Sequence, residues 1–300
     1  MDYKRIIKSR ETRFAILKAL SFVPDSVMLR VQYRIKMGFW PDFKHPKRYT
    51  EKLQLYKMEY RNPVMHQCVD KYEVRKYVES KGLGHILTPL YGVYDHASEI
   101  DLGTLPDKFV AKTTDGGGGN NVIIVRDKSK LDEEKFRRDL DGWIRTKGGT
   151  TSGREWAYTG IKQSRIIIEK YLEDDPQIGG YLSDYKLMFF DGKIRCLWID
   201  KDRYTDHHRG FWDENLNFLY GVRCRYDSLV TPPALPDTIH EMIRVGEILS
   251  KDFPHVRIDL YDVKGKIMFG EITFYSNSGY ERFYPDEFDF RLGTFFDKYN

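Results

Sequence analysis

Val256-Arg257-Ile258-Asp259-Leu260-Tyr261, followed by Gly270-Glu271-Ile272-Thr273-Phe274, is the stretch on which the reading of this 300-residue chain turns. Each half alternates in the manner of a strand, so Arg257 and Asp259 point to one face while Val256, Ile258 and Leu260 point into a core. Between the halves, Val263-Lys264-Gly265 suits a three-residue hairpin loop with Gly265 in the left-handed conformation. That loop pairs Asp262 with Lys266 and Arg257 with Glu271. Asp259 then lies diagonally across from Glu271 on the same face, roughly 7 Å away and within reach of a shared cation. A two-residue Lys264-Gly265 turn would put the two carboxylates on opposite faces, so the parity of the loop decides whether they form a site. Taken alone, the same residues also describe a strand pair with charges on its solvated side.

Composition excludes several classes. The chain is 41% hydrophobic and 31% charged, with 15% aromatic residues, which is a folded rather than a disordered balance. No apolar run approaches membrane-spanning length, and the N-terminus is charged rather than signal-like. Cys68, Cys196 and Cys224 are odd in number and far apart, so neither a disulfide framework nor a zinc site follows and a reducing cytoplasm is expected. The net charge of +4 is unevenly distributed. Residues 1–60 are strongly basic, with Ile6, Ile7, Phe14, Ile16, Leu17 and Leu20 among the lysines and arginines. They read either as a helical prefix with solvated charges or as a contact with an acidic membrane surface. No basic-aromatic recognition motif accompanies them, so a nucleic-acid partner is not expected.

The chain reads as α+β, with antiparallel hairpins rather than βαβ alternation. Residues 1–105 look mainly helical, interrupted at Pro41, Pro46 and Pro63. Strands are expected at Phe109–Lys112, Val122–Val125, Ile166–Glu169, Tyr185–Phe190 and Ile194–Ile199, with an Asp191-Gly192 turn between the last two. A polar helix is expected over 131–147, a polar loop over 200–217 and a helix over about 237–250. Thr238-Ile239-His240-Glu241 would form a capping box for that last helix, and Leu235, Ile239, Met242, Ile243 and Leu249 its apolar stripe.

Asp115-Gly116-Gly117-Gly118-Gly119-Asn120-Asn121 lies between two of these strands. Consecutive glycines leave backbone amides free to approach phosphate oxygens, although a glycine run between strands is also an ordinary flexible hairpin. It is neither a Walker loop nor a dinucleotide fingerprint. Lys112, three residues before it, could hold phosphates or could snorkel at the surface.

Taken in order, Phe109-Val110-Ala111-Lys112, the glycine loop, Ile166-Ile167-Ile168-Glu169-Lys170-Tyr171-Leu172, Asp184-Tyr185-Lys186, Arg257-Ile258-Asp259 and Gly270-Glu271-Ile272-Thr273 resemble an ATP-grasp enzyme. The TupA-like branch of surface-polysaccharide and teichuronopeptide biosynthesis is the closer resemblance, from about Asp70-Lys71-Tyr72 to Gly293. It implies two α+β subdomains clamping ATP: a basic helical extension over 1–60, a preceding region over 61–105, an N-terminal subdomain over 106–170 and a C-terminal one over 171–300. Lys112 would contact the α- and β-phosphates, and Gly116, Gly117, Gly118 and Gly119 would form the closing flap. Glu169, Tyr171 and Leu172 would form the hinge that clamps adenine. Asp184 would bind the ribose hydroxyls and Lys186 a second phosphate. Arg203 would lie near the γ-phosphate or acceptor, and Arg257 would steady the transferred phosphoryl group. Asp259, Glu271 and Thr273 would coordinate Mg²⁺. Many ATP-grasp enzymes have asparagine where Thr273 stands, and Asn277 is a candidate substitute.

The reaction implied is ATP-dependent amide formation through an acyl phosphate, on small-molecule carboxylate and amine substrates or a glycan precursor, in a cytoplasmic protein or one peripheral at the inner membrane face. Cations and positioning would carry such a transfer, and the chain shows no Ser-His or Cys-His pair in sequence that would suggest covalent catalysis. Two alternatives stay open. One is an ATP-grasp kinase acting on a sugar. The other is a glycosyltransferase-like or non-catalytic protein of a polysaccharide locus. For that reading Asp200-Lys201-Asp202 has the carboxylate-x-carboxylate form, yet it also reads as a solvated charge cluster. His207 and His208 read as solvated or substrate-contacting rather than metal-binding.

Overall fold

The computed structural model describes residues 9–116, 121–145, 153–173, 184–201 and 207–299. Its first part is helical: α1 (Arg10–Ala19), α2 (Asp25–Met37), α3 (Tyr49–Glu59), α4 (Val64–Val69) and α5 (Val74–Ser80). Prolines 24, 41, 46 and 63 fall between these helices, where a missing N–H and a fixed φ cost least. The helical expectation to residue 105 fails at β1 (Leu90–Tyr94), a strand introduced by Pro89. Five residues are too few for their period to separate strand from helix, and pairing settles the matter.

β1 joins β2 (Phe109–Thr113), β3 (Val122–Val125) and β4 (Ile166–Lys170) in an antiparallel sheet of order β1-β4-β2-β3. Phe109 and Ala111 alternate with Val110 and Lys112, so one face meets Phe136 and Leu140 of α6 (Glu133–Arg145) and the other carries Lys112.

The second sheet has six strands in the order β11-β10-β5-β6-β7-β9. These are β5 (Asp184–Phe190), β6 (Lys193–Lys201), β7 (His208–Asp213), β9 (Asp227–Ser228), β10 (His255–Val263) and β11 (Lys266–Thr273); the short β8 (Arg223–Cys224) pairs instead with β12 (Phe283–Tyr284). β7 lies within the span expected to be a polar loop. Its Phe211 and Trp212 are buried, and its ladder with β6 runs from Cys196–Asp213 to Lys201–His208. The Asp191-Gly192 turn forms as expected, with φ of 47° and 73°.

Helix α7 (Ile239–Ser250) packs on this sheet through Ile239, Met242, Val245 and Leu249, and Gly246 lets it lie directly on Phe189. Met242 and Leu249 are fully buried, which contributes roughly 1.5–3 kcal/mol each. The expected capping box is absent. Thr238 already has helical backbone angles, and its hydroxyl bonds the Asp262 carboxylate on β10 instead of an amide of its own helix.

Helix α3 is buried on every side from Tyr49 to Lys57. It passes between the sheet, where Tyr49 Oη meets His255 Nε2 at 3.0 Å, and α8 (Glu287–Thr294), where Asp289 accepts from the Thr50 amide and hydroxyl at 3.0 and 2.7 Å.

The β10–β11 hairpin departs from the expected register. Val263 pairs with Lys266 across a two-residue Lys264-Gly265 turn, both residues having positive φ (55° and 78°). That turn alone would set the carboxylates on opposite faces. Between Leu260–Phe269 and Asp259–Glu271, however, the register shifts by one residue at Gly270. The bulge restores the parity, and Asp259 stands directly opposite Glu271 while Arg257 pairs with Thr273 rather than with Glu271. A β-carbon on Gly270 would lie 2.8 Å from the Asp259 carbonyl oxygen, so the bulge admits only glycine without a shift.

Candidate active site

Cross-strand neighbours share a face, and the ladders therefore line up one row of residues: Glu271, Asp259, Lys186, Trp198 and Phe211. Beside it runs Thr273, Arg257, Met188 and Cys196, and on the other side Tyr261, Asp184, Asp200 and Arg209. A single face thus collects Asp184, Lys186, Arg257, Asp259, Glu271 and Thr273, six residues predicted from widely spaced positions.

Their side chains form one network. Arg257 donates to both oxygens of Asp259 (2.6 and 2.7 Å), to Glu271 Oε1 (2.9 Å), to Thr273 Oγ1 (3.1 Å) and to Ser276 Oγ (3.0 Å). Lys186 Nζ lies between Asp259 Oδ2, at 2.9 Å, and Asp184 Oδ2. Burial pushes the Asp259 carboxyl up to about 6, against the pull of Arg257 and Lys186. Burial works on Glu271 too, but Arg257, Lys71 and Lys186 together hold it down at about 2. Lys186 and Arg257 are both held more firmly protonated, since burial is outweighed by Asp184 and Asp259 for the lysine and by Asp259 and Glu271 for the arginine.

The donors on this face suit a hard divalent cation: two carboxylates opposite one another and a hydroxyl, all oxygen. Glu271 is half-buried and anionic, hence the readier ligand. Both Asp259 oxygens are engaged by Arg257 and Lys186, so it could ligate a metal only by sharing or releasing them. Asn277, the candidate substitute for asparagine, donates its amide to the Tyr280 carbonyl (3.4 Å).

The four-stranded sheet carries a cation of its own, Lys112 on β2. Lys112 Nζ is paired with Glu169 Oε2 at 2.6 Å, and Arg75 lies 3.7 Å from the other oxygen of Glu169. Lys71, between α4 and α5, is tied by its amide to the Thr114 carbonyl (2.9 Å) and by Nζ to the Gly116 carbonyl at the start of the glycine run. Burial lowers its pKa, and its strongest charged neighbours are Glu271 on one side and Lys112 on the other. Lys71 thus feels charges from both sheets, Glu271 on β11 and Lys112 on β2.

The TupA-like ATP-grasp family matches residues 51–297. The chain belongs to that family. Among solved structures it is similar to the ATP complex of D-alanine–D-alanine ligase from Bacillus anthracis (17% identity, 69% of this chain and 55% of that one, TM-score 0.43) and to L-amino acid ligase from Bacillus licheniformis (13%, 87% and 57%, TM-score 0.48). A third is N5-carboxyaminoimidazole synthetase from Staphylococcus aureus complexed with ADP (14%, 75% and 50%, TM-score 0.44). This chain spans 55–61% of the length of the first D-alanine–D-alanine ligases it resembles. No curated protein matches it.

In this ATP-grasp chain the remaining predicted residues fall at the end of β4 and beyond. Tyr171 is buried, its hydroxyl 3.2 Å from Arg126 Nε, and Leu172 is half-buried. Gly116 ends a described segment, whereas Gly117, Gly118, Gly119 and Arg203 lie outside the described residues.

Sequence alone assigns no role to Lys71 or Ser276 and reads Asp200 as part of a solvated charge cluster. Asp200 is not solvated: it is buried and grips Arg209 through two bonds (2.6 and 3.1 Å), with His207 Nε2 3.1 Å away. Burial opposes its ionisation, yet Arg209 holds it at about 2. His207 stacks on Tyr226 at 3.6 Å. The guanidiniums of Arg209 and Arg257 lie 5.3 and 5.4 Å from the Trp198 ring. A narrow cavity beside them is lined by Trp198, Arg209, Ser276 and Glu281, and the buried Trp198 Nε1 and Glu281 Oε1 have no hydrogen-bond partner among the described residues. The signal available in sequence is the period-2 placement of Arg209 relative to Phe211, which the polar residues around β7 obscure.

Proposed function

We propose that this protein is an ADP-forming carboxylate–amine ligase that uses Mg²⁺ and ATP, activates a carboxylate as its acyl phosphate and transfers the acyl group to an amine. The single observation that carries the reading is the Asp259–Glu271 pair, opposed in register and bridged by Arg257, with Lys186 bonded to Asp259 and Lys71 among the cations that hold Glu271 ionised. Phosphoryl transfer needs charge compensation and alignment more than covalent help, and this arrangement is rich in both.

On this reading the two sheets close on the nucleotide as the N-terminal (106–170) and C-terminal (171–300) halves. Lys112 and Lys71 bind the phosphates, Gly116 to Gly119 are the candidate closing flap, and Glu169 to Leu172 clamp the base. Asp184 is the candidate for the ribose hydroxyls. In this structure its carboxylate bonds Lys186, so that role requires the pair to open. Bound Mg²⁺, held by Glu271 with Asp259 and Thr273, would neutralise charge between the phosphates. Arg257 is held by five hydrogen bonds and would meet the γ-phosphoryl group and then the oxyanion of the tetrahedral intermediate, with Lys186 and Arg203 as further cations. The proposed substrates are a uronic acid or other acidic building block and an amino acid or amine, joined during surface-polysaccharide synthesis on the cytoplasmic side where ATP is available.

Hydroxylamine trapping tests the chemistry. With ATP, Mg²⁺ and a panel of uronates and amino acids, the native chain is expected to give a hydroxamate, and an amide when the amine is present. A stable phosphoester without hydroxamate would mean sugar kinase chemistry and overturn the ligase assignment.

A further inference from the structure

Helix α2 has two unlike sides. Met28, Leu29, Gln32, Tyr33 and Met37 are buried, with Tyr33 Oη bonded to Thr50 of α3 (2.8 Å) and Gln32 Oε1 accepting from Tyr280 Oη (2.8 Å). The outward side carries Val27, Val31 and Ile35, spaced four residues apart and 51%, 40% and 40% exposed. At its two ends stand Phe22, 82% exposed, and Trp40, 62% exposed. Arg30 and Arg34 are exposed on the same helix beside that stripe, and Lys18, Lys44 and Lys47 are exposed on the segments flanking it.

We infer that the outer face of α2, together with the turns carrying Phe22 and Trp40, docks on an anionic lipid surface. Aliphatic and aromatic side chains held in water next to arginines match the acyl boundary and the charged headgroups at once. A soluble acidic polymer would satisfy the arginines but leave Val27, Val31 and Ile35 with nothing to bury against, so the apolar stripe selects the bilayer. No helix among the described residues is long and apolar enough to cross a membrane, which makes the contact peripheral. The inner side of the same helix touches Tyr280, in the loop that begins with Ser276 and the Arg257 contact. Docking through the outer side therefore sets the candidate active-site loop one helix away from the membrane.

The test is sedimentation of the full chain with vesicles of phosphatidylcholine alone or mixed with phosphatidylglycerol, across salt. Binding is expected only to the anionic vesicles and to weaken as salt rises. The Arg30→Gln/Arg34→Gln double variant should lower the partition coefficient by about tenfold or more, and Val31→Asp/Ile35→Asp should abolish binding. The native emission should shift to the blue with anionic vesicles and lose that shift in Trp40→Phe, a conservative change that does not depend on the other variants folding. Three results would overturn the inference: no binding to anionic vesicles, binding to soluble polyglutamate that matches vesicle binding and persists in Val31→Asp/Ile35→Asp, or a native dimer that Val31→Asp disperses while no vesicle binding is seen. None of these readouts involves ATP, so their failure leaves the ligase proposal intact.

Discussion

Asp259 and Glu271 face one another across the β10–β11 ladder only because Gly270 is an extra residue in β11. Without the bulge, the Lys264-Gly265 turn would send Glu271 to the opposite side of the sheet. Gly270→Ala should therefore damage the site more than the fold. A β-carbon there meets the Asp259 carbonyl at 2.8 Å and must displace the strand that carries Asp259. We expect a loss of about 1–3 kcal/mol in stability, together with loss of Mg²⁺-dependent ATP binding by calorimetry. Native-like ATP binding in the variant would show that the bulge does not govern the carboxylate geometry.

Glu271→Gln and Lys71→Met probe an anion and a cation of the proposed nucleotide site. The first removes the anionic ligand while keeping its shape, and should weaken Mg²⁺-dependent ATP binding by roughly tenfold to a hundredfold. Lys71→Met removes a buried cation whose strongest charged neighbours are Glu271 and Lys112, and should weaken ATP binding even in the absence of metal. Calorimetry with and without Mg²⁺ separates the two, and equal losses under both conditions for Glu271→Gln would remove it from the metal role.

How far the sequence anticipated the site follows from parity. Alternation along Val256–Tyr261 assigns Arg257 and Asp259 to one face correctly because it is a local property. The pairing of Asp259 with Glu271 depends on a turn and a bulge together. The three-residue loop expected for this hairpin gave the right face by a different route, since a single bulge and a single extra loop residue have the same effect on parity. β1 and β7 escape the sequence for another reason: Leu90–Tyr94 and His208–Asp213 are too short or too polar at their ends to show a period, and β1 pairs with β4, far away in sequence. Lys71 marks the start of the family resemblance but shows no role in sequence, because nothing local relates it to Glu271, 200 residues later.

Asp200 and Arg209 form a buried pair, and Asp200→Asn leaves the guanidinium with Glu281 at 4.0 Å as its nearest remaining carboxylate. Breaking such a pair is expected to cost on the order of 3–5 kcal/mol. Chemical denaturation would measure it. Because Arg209 holds Asp200 at about 2, below its ordinary value, the native chain's advantage should be full above about pH 4 and decline as pH falls toward 2. An unchanged denaturation midpoint at neutral pH would remove the pair from the framework of the site.

Lys57 supplies the last prediction. It is fully buried on α3 and donates to the Gly153 carbonyl (2.9 Å), the Ser278 carbonyl (2.9 Å) and Ser278 Oγ (3.3 Å). It thereby pins the Ser276–Gly279 turn, in which Asn277 and Ser278 have positive φ of 45° and 56° and from which Ser276 reaches Arg257. Gln54 of the same helix holds the Gly279 carbonyl at 2.8 Å. Burial without a carboxylate in contact lowers the Lys57 pKa to about 7, with Glu155 only partly offsetting it. The unfolded chain then binds a proton that the folded chain does not between about pH 7 and pH 10, so this group makes the native protein more stable as pH rises through that window, by up to about 1.4 kcal/mol per pH unit. Lys57→Met should abolish that rise. It should also free the turn, lowering kcat more than it raises the KM for ATP, because the turn touches Arg257 rather than the phosphate-binding lysines. Lys57→Arg should restore neither effect fully, since a larger fork cannot enter the same space without moving Ser278. If melting curves from pH 7 to 9.5 run parallel for the native chain and Lys57→Met, the lysine is not the titrating pin described here.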